Sequence, residues 1–284
     1  MNNNQVTTLE FHQLCKEYGA VKALRPLTHK FVGGRIHAVI GKNGSGKSTL
    51  IKMMAGATTP TAGEMVLNGK SLKFKTPQDA LMSGVVTVHQ ELSLIPELTV
   101  AENIFLGRMP QKAGFIQWGR LNDMAANLLA EVGANNINPN ALVSSLSVGK
   151  QQVVEIAKAM SLSPLVLQLD EPTSALAQDE VEHLFALLKR LRAKGVLIIY
   201  VSHRLAELPI IADDITVLRD GVFVGELPIE EATPKAIVDL MFGEIEEFSI
   251  REKRPQQAEV VLEVQNLKVD GLLHDISFKL HRGE

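Results

Sequence analysis

Residues 41–49 have the residue types and the spacing of a loop that binds phosphate groups. The stretch reads Gly41-Lys42-Asn43-Gly44-Ser45-Gly46-Lys47-Ser48-Thr49 and fits the pattern G-x-x-x-x-G-K-[ST]. Because glycine adopts dihedral angles closed to other residues, successive backbone N–H groups of such a loop can point inward at a phosphate. Lys47 is then expected to reach the β- and γ-phosphates of a nucleotide, and the Ser48 hydroxyl to bind Mg²⁺.

The segments on either side of this loop predict a strand before it and a helix after it. The strand is the apolar run Ile36–Ile40, and the helix covers residues 50–55 and ends at Gly56. A helix that begins directly after the loop contributes unpaired N–H groups and the positive end of its dipole. The loop therefore lies in the strand–loop–helix context that this motif requires.

A second apolar stretch, residues 165–169, predicts a strand that ends at the adjacent carboxylates Asp170 and Glu171. Ligands of open parallel sheets bind at the carboxyl ends of the strands. Asp170 is a natural partner of Mg²⁺, directly or one shell away, and Glu171 can accept a proton from water that attacks a γ-phosphate. Such a pair alone more often caps a helix, but beside a phosphate loop the catalytic interpretation is favoured. Gln168 is unexpected here, because a buried amide needs a hydrogen-bond partner.

Composition and charge describe an ordinary globular protein and exclude several classes. The 284 residues are 45% apolar and 21% charged with a formal net charge of −3, which gives no electrostatic sign of nucleic-acid binding. The single cysteine, Cys15, excludes an intramolecular disulfide framework and fits a reducing compartment. Apolar runs such as residues 196–201 are too short to span a bilayer, and the N-terminus lacks a signal-peptide pattern. We expect a cytosolic protein that needs a partner for any role at a membrane.

Local signals along the chain predict an α/β unit with a helical insertion. Between residues 92 and 162 helices and loops replace strands, and Thr99-Val100-Ala101-Glu102 forms a capping box. Hairpin turns are predicted at Asn68-Gly69 and Asp220-Gly221. Thr233 is expected to begin a last helix that has proline in its first position.

Residues 244–257 divide the chain into two parts. They are charged, lack periodicity and are interrupted by Pro255, so we interpret them as a linker. We expect residues 1–243 to form one complete unit. Residues 258–284 would then be the opening strands of an incomplete second unit.

The expectation of a second unit depends on an internal repeat. Residues 261–267 resemble residues 8–14, which alternate as a strand, and residues 273–283 resemble residues 24–34. A coincidental likeness between two pairs of amphipathic strands is the alternative. The repeat stops at Glu284, where the first copy would continue into its phosphate loop.

Further motifs, in this order along the chain, resemble those of ABC-type ATPases. Residues 143–152 precede Asp170-Glu171-Pro172-Thr173-Ser174-Ala175-Leu176 and contain, at positions 146–150, a segment similar to the L-S-G-G-Q signature. Val201-Ser202-His203-Arg204 resembles the loop of the switch histidine, and Val88-His89-Gln90-Glu91 resembles the Q-loop. Tyr18 corresponds to the aromatic residue that stacks on adenine.

The resemblance implies a fold and a set of roles. The fold would be α/β: a P-loop NTPase core of ABC type with an antiparallel β layer and an inserted helical subdomain near residues 92–162. ATP and Mg²⁺ would bind at the phosphate loop, and Gln90 would contact Mg²⁺ and the attacking water. His203 would contact the γ-phosphate and hold the water together with Glu171. The alternative for Gln90, His203 and Tyr18 is an ordinary structural role in turns and caps.

A narrower resemblance connects the chain with ATPases that import monosaccharides of the ribose, galactose and arabinose type. Residues 90–107 and 154–159 carry it. It implies a peripheral subunit at the cytoplasmic face of the inner membrane that hydrolyses ATP to drive uptake of a small carbohydrate. Its partners would be integral-membrane permease subunits and, indirectly, a solute-binding protein, with no nucleic acid. The alternatives are a soluble ABC protein that does not transport, and a truncated nucleotide-binding remnant that hydrolyses poorly.

The signature segment departs from the family pattern. Val148 replaces its first glycine, Lys150 its glutamine, and Ala177 the acidic or hydroxylic residue that often ends the loop after Leu176. In an ABC dimer the signature of one unit faces the phosphate loop of the other, and its helix N-terminus points at the γ-phosphate. Because a branched side chain obstructs that approach, we expect the facing signature to come from a second ABC unit, in a homodimer or an intact partner.

Overall fold

The computed structural model describes residues 6–243, 259–269 and 273–282. Contacts divide the chain into two units, Met1–Gly243 and Glu244–Glu284. The linker predicted at residues 244–257 lies outside the described residues.

The first unit contains strands and helices in alternation. Its strands are β1 (Thr8–Tyr18), β2 (Val21–Val32), β3 (Ile36–Ile40), β4 (Ala62–Leu67), β5 (Lys70–Leu72), β6 (Val85–Val88), β7 (Gln111–Lys112), β8 (Phe115–Ile116), β9 (Val166–Asp170), β10 (Leu197–Val201), β11 (Asp214–Arg219) and β12 (Val222–Pro228). Its α-helices are α1 (Lys47–Met54), α2 (Pro77–Met82), α3 (Val100–Ile104), α4 (Trp118–Glu131), α5 (Val148–Met160), α6 (Gln178–Ala193), α7 (Leu208–Ile211) and α8 (Pro234–Phe242).

A six-stranded sheet forms the centre of this unit, in the order β12-β11-β3-β10-β9-β6. The strands from β11 to β6 in that order are parallel, and β12 joins the edge by an antiparallel hairpin. All residues of β3 and β10 are buried, as strands covered on both faces must be. The loops after β3, β9 and β10 therefore leave the same edge of the sheet.

The central sheet separates the apolar interior into layers. Ile199 and Val201 on one face of β10 pack with α1 and the antiparallel sheet β2-β1-β4-β5. Ile198 and Tyr200 on the other face pack with α3–α6, because side chains alternate along a strand. The helices between β6 and β9 thus share a core with the sheet instead of forming a separate one. This arrangement is the parallel sheet, antiparallel β layer and helical insertion that the sequence predicts.

The local signals produce the predicted caps and turns. The Glu102 N–H donates to Thr99 Oγ1 over 3.2 Å while Glu102 Oε2 accepts from the Thr99 N–H over 2.8 Å, so the capping box is confirmed. Thr233 likewise caps α8 through the Ala236 N–H. The turn at Asn68-Gly69 has positive φ at both residues, as tight hairpins require. Strand β1 continues beyond residue 14, because a bulge interrupts its alternation without ending it.

The second unit is an antiparallel pair, β13 (Val260–Val269) and β14 (Leu273–His281). Asn266 has a φ of 50°, and its N–H donates to Ser277 Oγ over 2.9 Å. The corresponding residue of the first unit, Gln13, has a φ of 49°, and its N–H donates to Thr28 Oγ1 over 3.1 Å. Both antiparallel pairs therefore contain a bulge at this residue, and a hydroxyl of the partner strand accepts its N–H in each pair.

Candidate nucleotide site

The loop between β3 and α1 wraps around the amine of its own lysine. Lys47 Nζ donates to the backbone oxygens of Gly41 over 2.7 Å and Lys42 over 3.0 Å, and only 7% of the residue is exposed. Burial lowers the pKa of Lys47, while the nearby charges of Glu171 and Asp170 oppose that shift. The ammonium is thus held at the centre of the loop, on the side of the two carboxylates.

Two glycines give the loop a shape that other residues would not allow. Gly46, the N-cap of α1, has a φ of 103°, in the left-handed region that favours glycine. A Cβ at Gly41 would overlap the Leu218 carbonyl oxygen and the Ser45 hydroxyl. Ser48, in the first turn of α1, is exposed, so its hydroxyl is open to a ligand.

The loop borders a cleft of about 580 Å³ at the carboxyl edge of the central sheet. The sequence-predicted residues that line this cleft are Tyr18, Asn43, Gly44, Gly46, Lys47, Ser48, Thr49, Asp170 and Glu171. Tyr18 is 48% exposed, with the Lys16 ammonium 4.9 Å from its ring centre. The fold therefore brings an open aromatic ring, the phosphate loop and both carboxylates to one cleft.

The end of β9 places its two carboxylates in different surroundings. Burial and the adjacent Glu171 charge raise the pKa of Asp170. Glu171 has a φ of 48°, a strained conformation for a residue with a side chain, and such strain collects at functional sites. Its N–H donates to the Val201 oxygen over 2.9 Å, and its Oε1 lies 3.0 Å from His203 Nδ1. The first residue past β9 is thus joined to the loop after β10.

Two glutamines that the sequence singles out, Gln90 and Gln168, lie at different places in the first unit. Gln90 is exposed beyond the end of β6 and is not among the residues that line the cleft. Gln168 is fully buried in β9, and its side-chain amide donates to Thr87 Oγ1 of β6. Thr87, on the neighbouring strand, is thus the partner of the Gln168 NH₂ group, whereas Gln168 Oε1 has no hydrogen-bond partner among the described residues.

A buried polar network behind Glu171 and His203 was not predicted from the sequence. Glu207 is 8% exposed and accepts hydrogen bonds from Tyr200 Oη over 2.7 Å, Thr173 Oγ1 over 3.1 Å and Ser202 Oγ over 3.3 Å. Burial, followed by the hydrogen bond to Glu207, raises the pKa of Tyr200. Arg204 adds a contact to Glu207 at 3.4 Å. The network connects the loop after β9 with the loop after β10, and Tyr200 in an otherwise apolar strand was its one sequence signal.

Residues 24–174 match the family model of the ABC transporter. The chain belongs to the ABC transporter family. Among its solved relatives, the ADP conformation of an ATP-binding cassette of an ABC transporter superposes with a TM-score of 0.71 at 26% identity, covering 84% of this chain and 100% of that one. A nucleotide-free ATP-binding cassette from an ABC transporter gives 0.70 at 25% identity with the same coverages. The predicted ABC-type P-loop fold is confirmed.

Curated relatives of this ABC transporter chain are importer components. A ribose import ATP-binding protein of Chromobacterium violaceum is 43% identical over 273 residues, which cover 95% of this chain and 54% of the relative. An arabinose import ATP-binding protein of Rhizobium johnstonii is 44% identical over 278 residues, covering 97% and 55%. The chain thus spans about half the length of these curated relatives. No helix in the part of the chain described here combines the length and the apolar character needed to cross a membrane.

Proposed function

We propose that this chain binds and hydrolyses ATP to drive uptake of a monosaccharide or related small carbohydrate through a separate integral-membrane permease. The observation that carries the proposal is the cleft in which the phosphate loop, Tyr18, Asp170 and Glu171 meet. The similarity to ribose and arabinose import ATP-binding proteins supports the importer assignment and the sugar class. As a peripheral subunit, the chain would act at the cytoplasmic face of the inner membrane.

Catalysis in this proposal is positioning and charge stabilisation. Lys47 and the backbone N–H groups of residues 41–49 would hold the phosphates, and Tyr18 would stack on the adenine. Glu171 and His203 would hold the attacking water, and their 3.0 Å contact supports a joint role. Gln90 would approach the same water from its loop after β6.

The residues at the cleft also fit Mg²⁺, a hard cation that prefers oxygen ligands. The exposed Ser48 hydroxyl and the Asp170 carboxylate border one cleft, and burial leaves Asp170 with a raised pKa that a cation would offset. Gln90 would complete this set from outside the cleft. Bound Mg²⁺ would neutralise charge on the phosphates of the nucleotide.

The partners of the proposed function are permease subunits, a solute-binding protein that acts indirectly, and a second ABC unit. The relatives are about twice as long as this chain, and the bulge of β13–β14 matches that of β1–β2. Both observations support residues 258–284 as the beginning of a second unit, joined to residues 1–243 by the linker 244–257. The second unit would supply the intact signature that Val148 and Lys150 do not provide.

Calorimetric titration with ATP and Mg²⁺ tests the nucleotide site. Lys47→Ala removes a buried cation and should weaken binding by about a hundredfold or more, since hydrogen bonds from charged groups contribute about 1.5–3 kcal/mol each. Lys70→Ala, an exposed lysine at the hairpin after β4, is the matched control and should bind as the parental chain does. Equal affinity of the Lys47 variant would contradict the assignment.

The rate of ATP hydrolysis tests the proposed role of Glu171 separately from nucleotide binding. We expect the purified chain to turn over ATP slowly, because two copies would pair a complete phosphate loop with the altered signature 146–150. Glu171→Gln should remove the remaining activity while ATP still binds. Fast turnover that Glu171→Gln abolishes would show that this signature suffices.

A further inference from the structure

The N-terminus of the signature helix α5 is occupied by a carboxylate from the same chain. Glu180, in the first turn of α6, accepts through Oε1 from Ser147 Oγ over 2.9 Å and from the Gly149 N–H over 3.1 Å. Its other oxygen, Oε2, accepts from the Ala177 N–H over 3.2 Å. One side chain therefore joins the start of α6 to the start of α5, 31 residues earlier in the chain.

The local sequence explains why this carboxylate crosses to α5. Asp or Glu in the first turn stabilises a helix, but α5 has no acidic residue there. Ala177, the N-cap of α6, has a methyl group and makes no side-chain cap. Of the two acidic residues in the first turn of α6, Asp179 and Glu180, it is Glu180 that accepts from N–H groups at both helix starts, and a Cβ at Gly149 would overlap its carboxyl group.

The donors that Glu180 occupies are those an arriving phosphate would need. A helix N-terminus binds anions through its free N–H groups, and a serine hydroxyl beside it adds a further donor. Ser147 Oγ and the Gly149 N–H are such donors, and both are engaged by one carboxylate oxygen. A carboxylate and a phosphate are like charges, so they cannot share these donors without a large repulsion.

We propose that Glu180 holds the place of a γ-phosphate at the signature, and that a nucleotide presented by a second ABC unit must displace it before the two units can close. The inference depends on the proposed function, because it requires a partner's nucleotide to reach Ser147 and Gly149. Glu180 is then a positioning residue that sets how readily this signature accepts a nucleotide-loaded partner.

The structure offers the displaced side chain a place to go. Glu180 borders a cavity of about 250 Å³ between α5, α6 and the segment that follows α4, and this cavity is also lined by Lys150, His183 and the acidic Asp179. Lys150 and His183 can offer positive charge or N–H donors to a carboxylate. Lys150, at the position of the signature glutamine, can form an ion pair with the Glu180 carboxylate when the γ-phosphate binds Ser147.

Dimerisation of the full chain tests this inference. Sedimentation velocity would be measured with Mg²⁺ and adenylyl imidodiphosphate, an ATP analogue that is not hydrolysed, for the parental chain, Glu180→Gln and Glu180→Ala. Glu182→Gln is the control, since Glu182 is exposed on the same helix turn. We expect the Glu180 variants to dimerise at about tenfold lower protein concentration, and Glu182→Gln to match the parental chain. When ADP replaces the analogue, the Glu180 variants and the parental chain should no longer differ in the protein concentration at which they dimerise.

Nucleotide affinity separates failure of this inference from failure of the proposed function. Monomer affinity for ATP should be equal within about twofold in all four proteins, because Glu180 is not among the residues that line the cleft of the chain's own phosphate loop. Equal or weaker dimerisation of both Glu180 variants, including no dimer in any protein, would overturn the inference and leave nucleotide binding intact. A parental chain that binds no ATP would overturn the proposed function itself. Thermal unfolding identifies a variant that fails to fold. If Glu180→Ala fails, the comparison of Glu180→Gln with the parental chain tests the inference, because glutamine keeps the shape of the side chain.

Discussion

Replacement of Glu207 should show whether the buried network behind the cleft holds the two loops together. Glu207→Ala removes the acceptor of Tyr200, Thr173 and Ser202, whose hydroxyls lie between 2.7 and 3.3 Å from one carboxylate oxygen. Arg204, at 3.4 Å from the other oxygen, also loses its partner. Hydrogen bonds to a charged acceptor contribute about 1.5–3 kcal/mol each, so the loss of the three hydroxyl partners should cost at least about 3 kcal/mol. Tyr200→Phe removes one bond to a charged acceptor and should cost less, about 1.5–3 kcal/mol.

Urea unfolding measures the difference. If the free energy of unfolding falls by about 3 kcal/mol per molar urea, a variant that is less stable by about 3 kcal/mol unfolds at a midpoint about 1 M lower. Nucleotide binding should persist, because the phosphate loop is held by its own contacts, whereas hydrolysis should fall as Glu171 and His203 lose their common support. A midpoint for Glu207→Ala within about 0.2 M of the parental value, or equal to that of Tyr200→Phe, would contradict a role of the Glu207 network in holding the two loops.

Three further outcomes follow from the structure. Burial lowers the pKa of His29, and the imidazole of His37, 3.8 Å from Glu226 Oε1, lowers the pKa of Glu226. Both groups bind fewer protons when folded, so unfolding at successive pH values should show stability falling below about pH 6.5, less so in His29→Gln. Gly46→Ala forces a side chain into a φ of 103° and should weaken ATP binding in calorimetry, whereas unchanged affinity would mean the loop tolerates it. Deletion of everything after Gly243 should leave ATP binding intact, and loss of binding would show that those residues belong to the working fold.

Structural elements that depend on residues close together in the chain could be predicted from the sequence. The motif predicted glycine at positions 41 and 46. In the structure, φ values or close contacts at these positions exclude a side chain. The capping box at Thr99 follows from two residues three positions apart, and the hairpin at Asn68 from two adjacent ones. The position of Asp170 and Glu171 was also predictable, since an apolar strand places the residues that follow it at the carboxyl edge of a parallel sheet.

Tertiary structure alone decided which distant side chains meet. Glu207 reaches Thr173 across 34 positions of sequence, and Gln168 reaches Thr87 across 81. No local pattern specifies such pairs, because they depend on the order of strands in the sheet and on which face of each strand is buried. Glu180 is the clearest case: its sequence position marks the first turn of a helix, yet its carboxylate caps a different helix. Packing brings the N-termini of α5 and α6 together, and the unpaired N–H groups at the N-terminus of α5 determine where the Glu180 carboxylate binds.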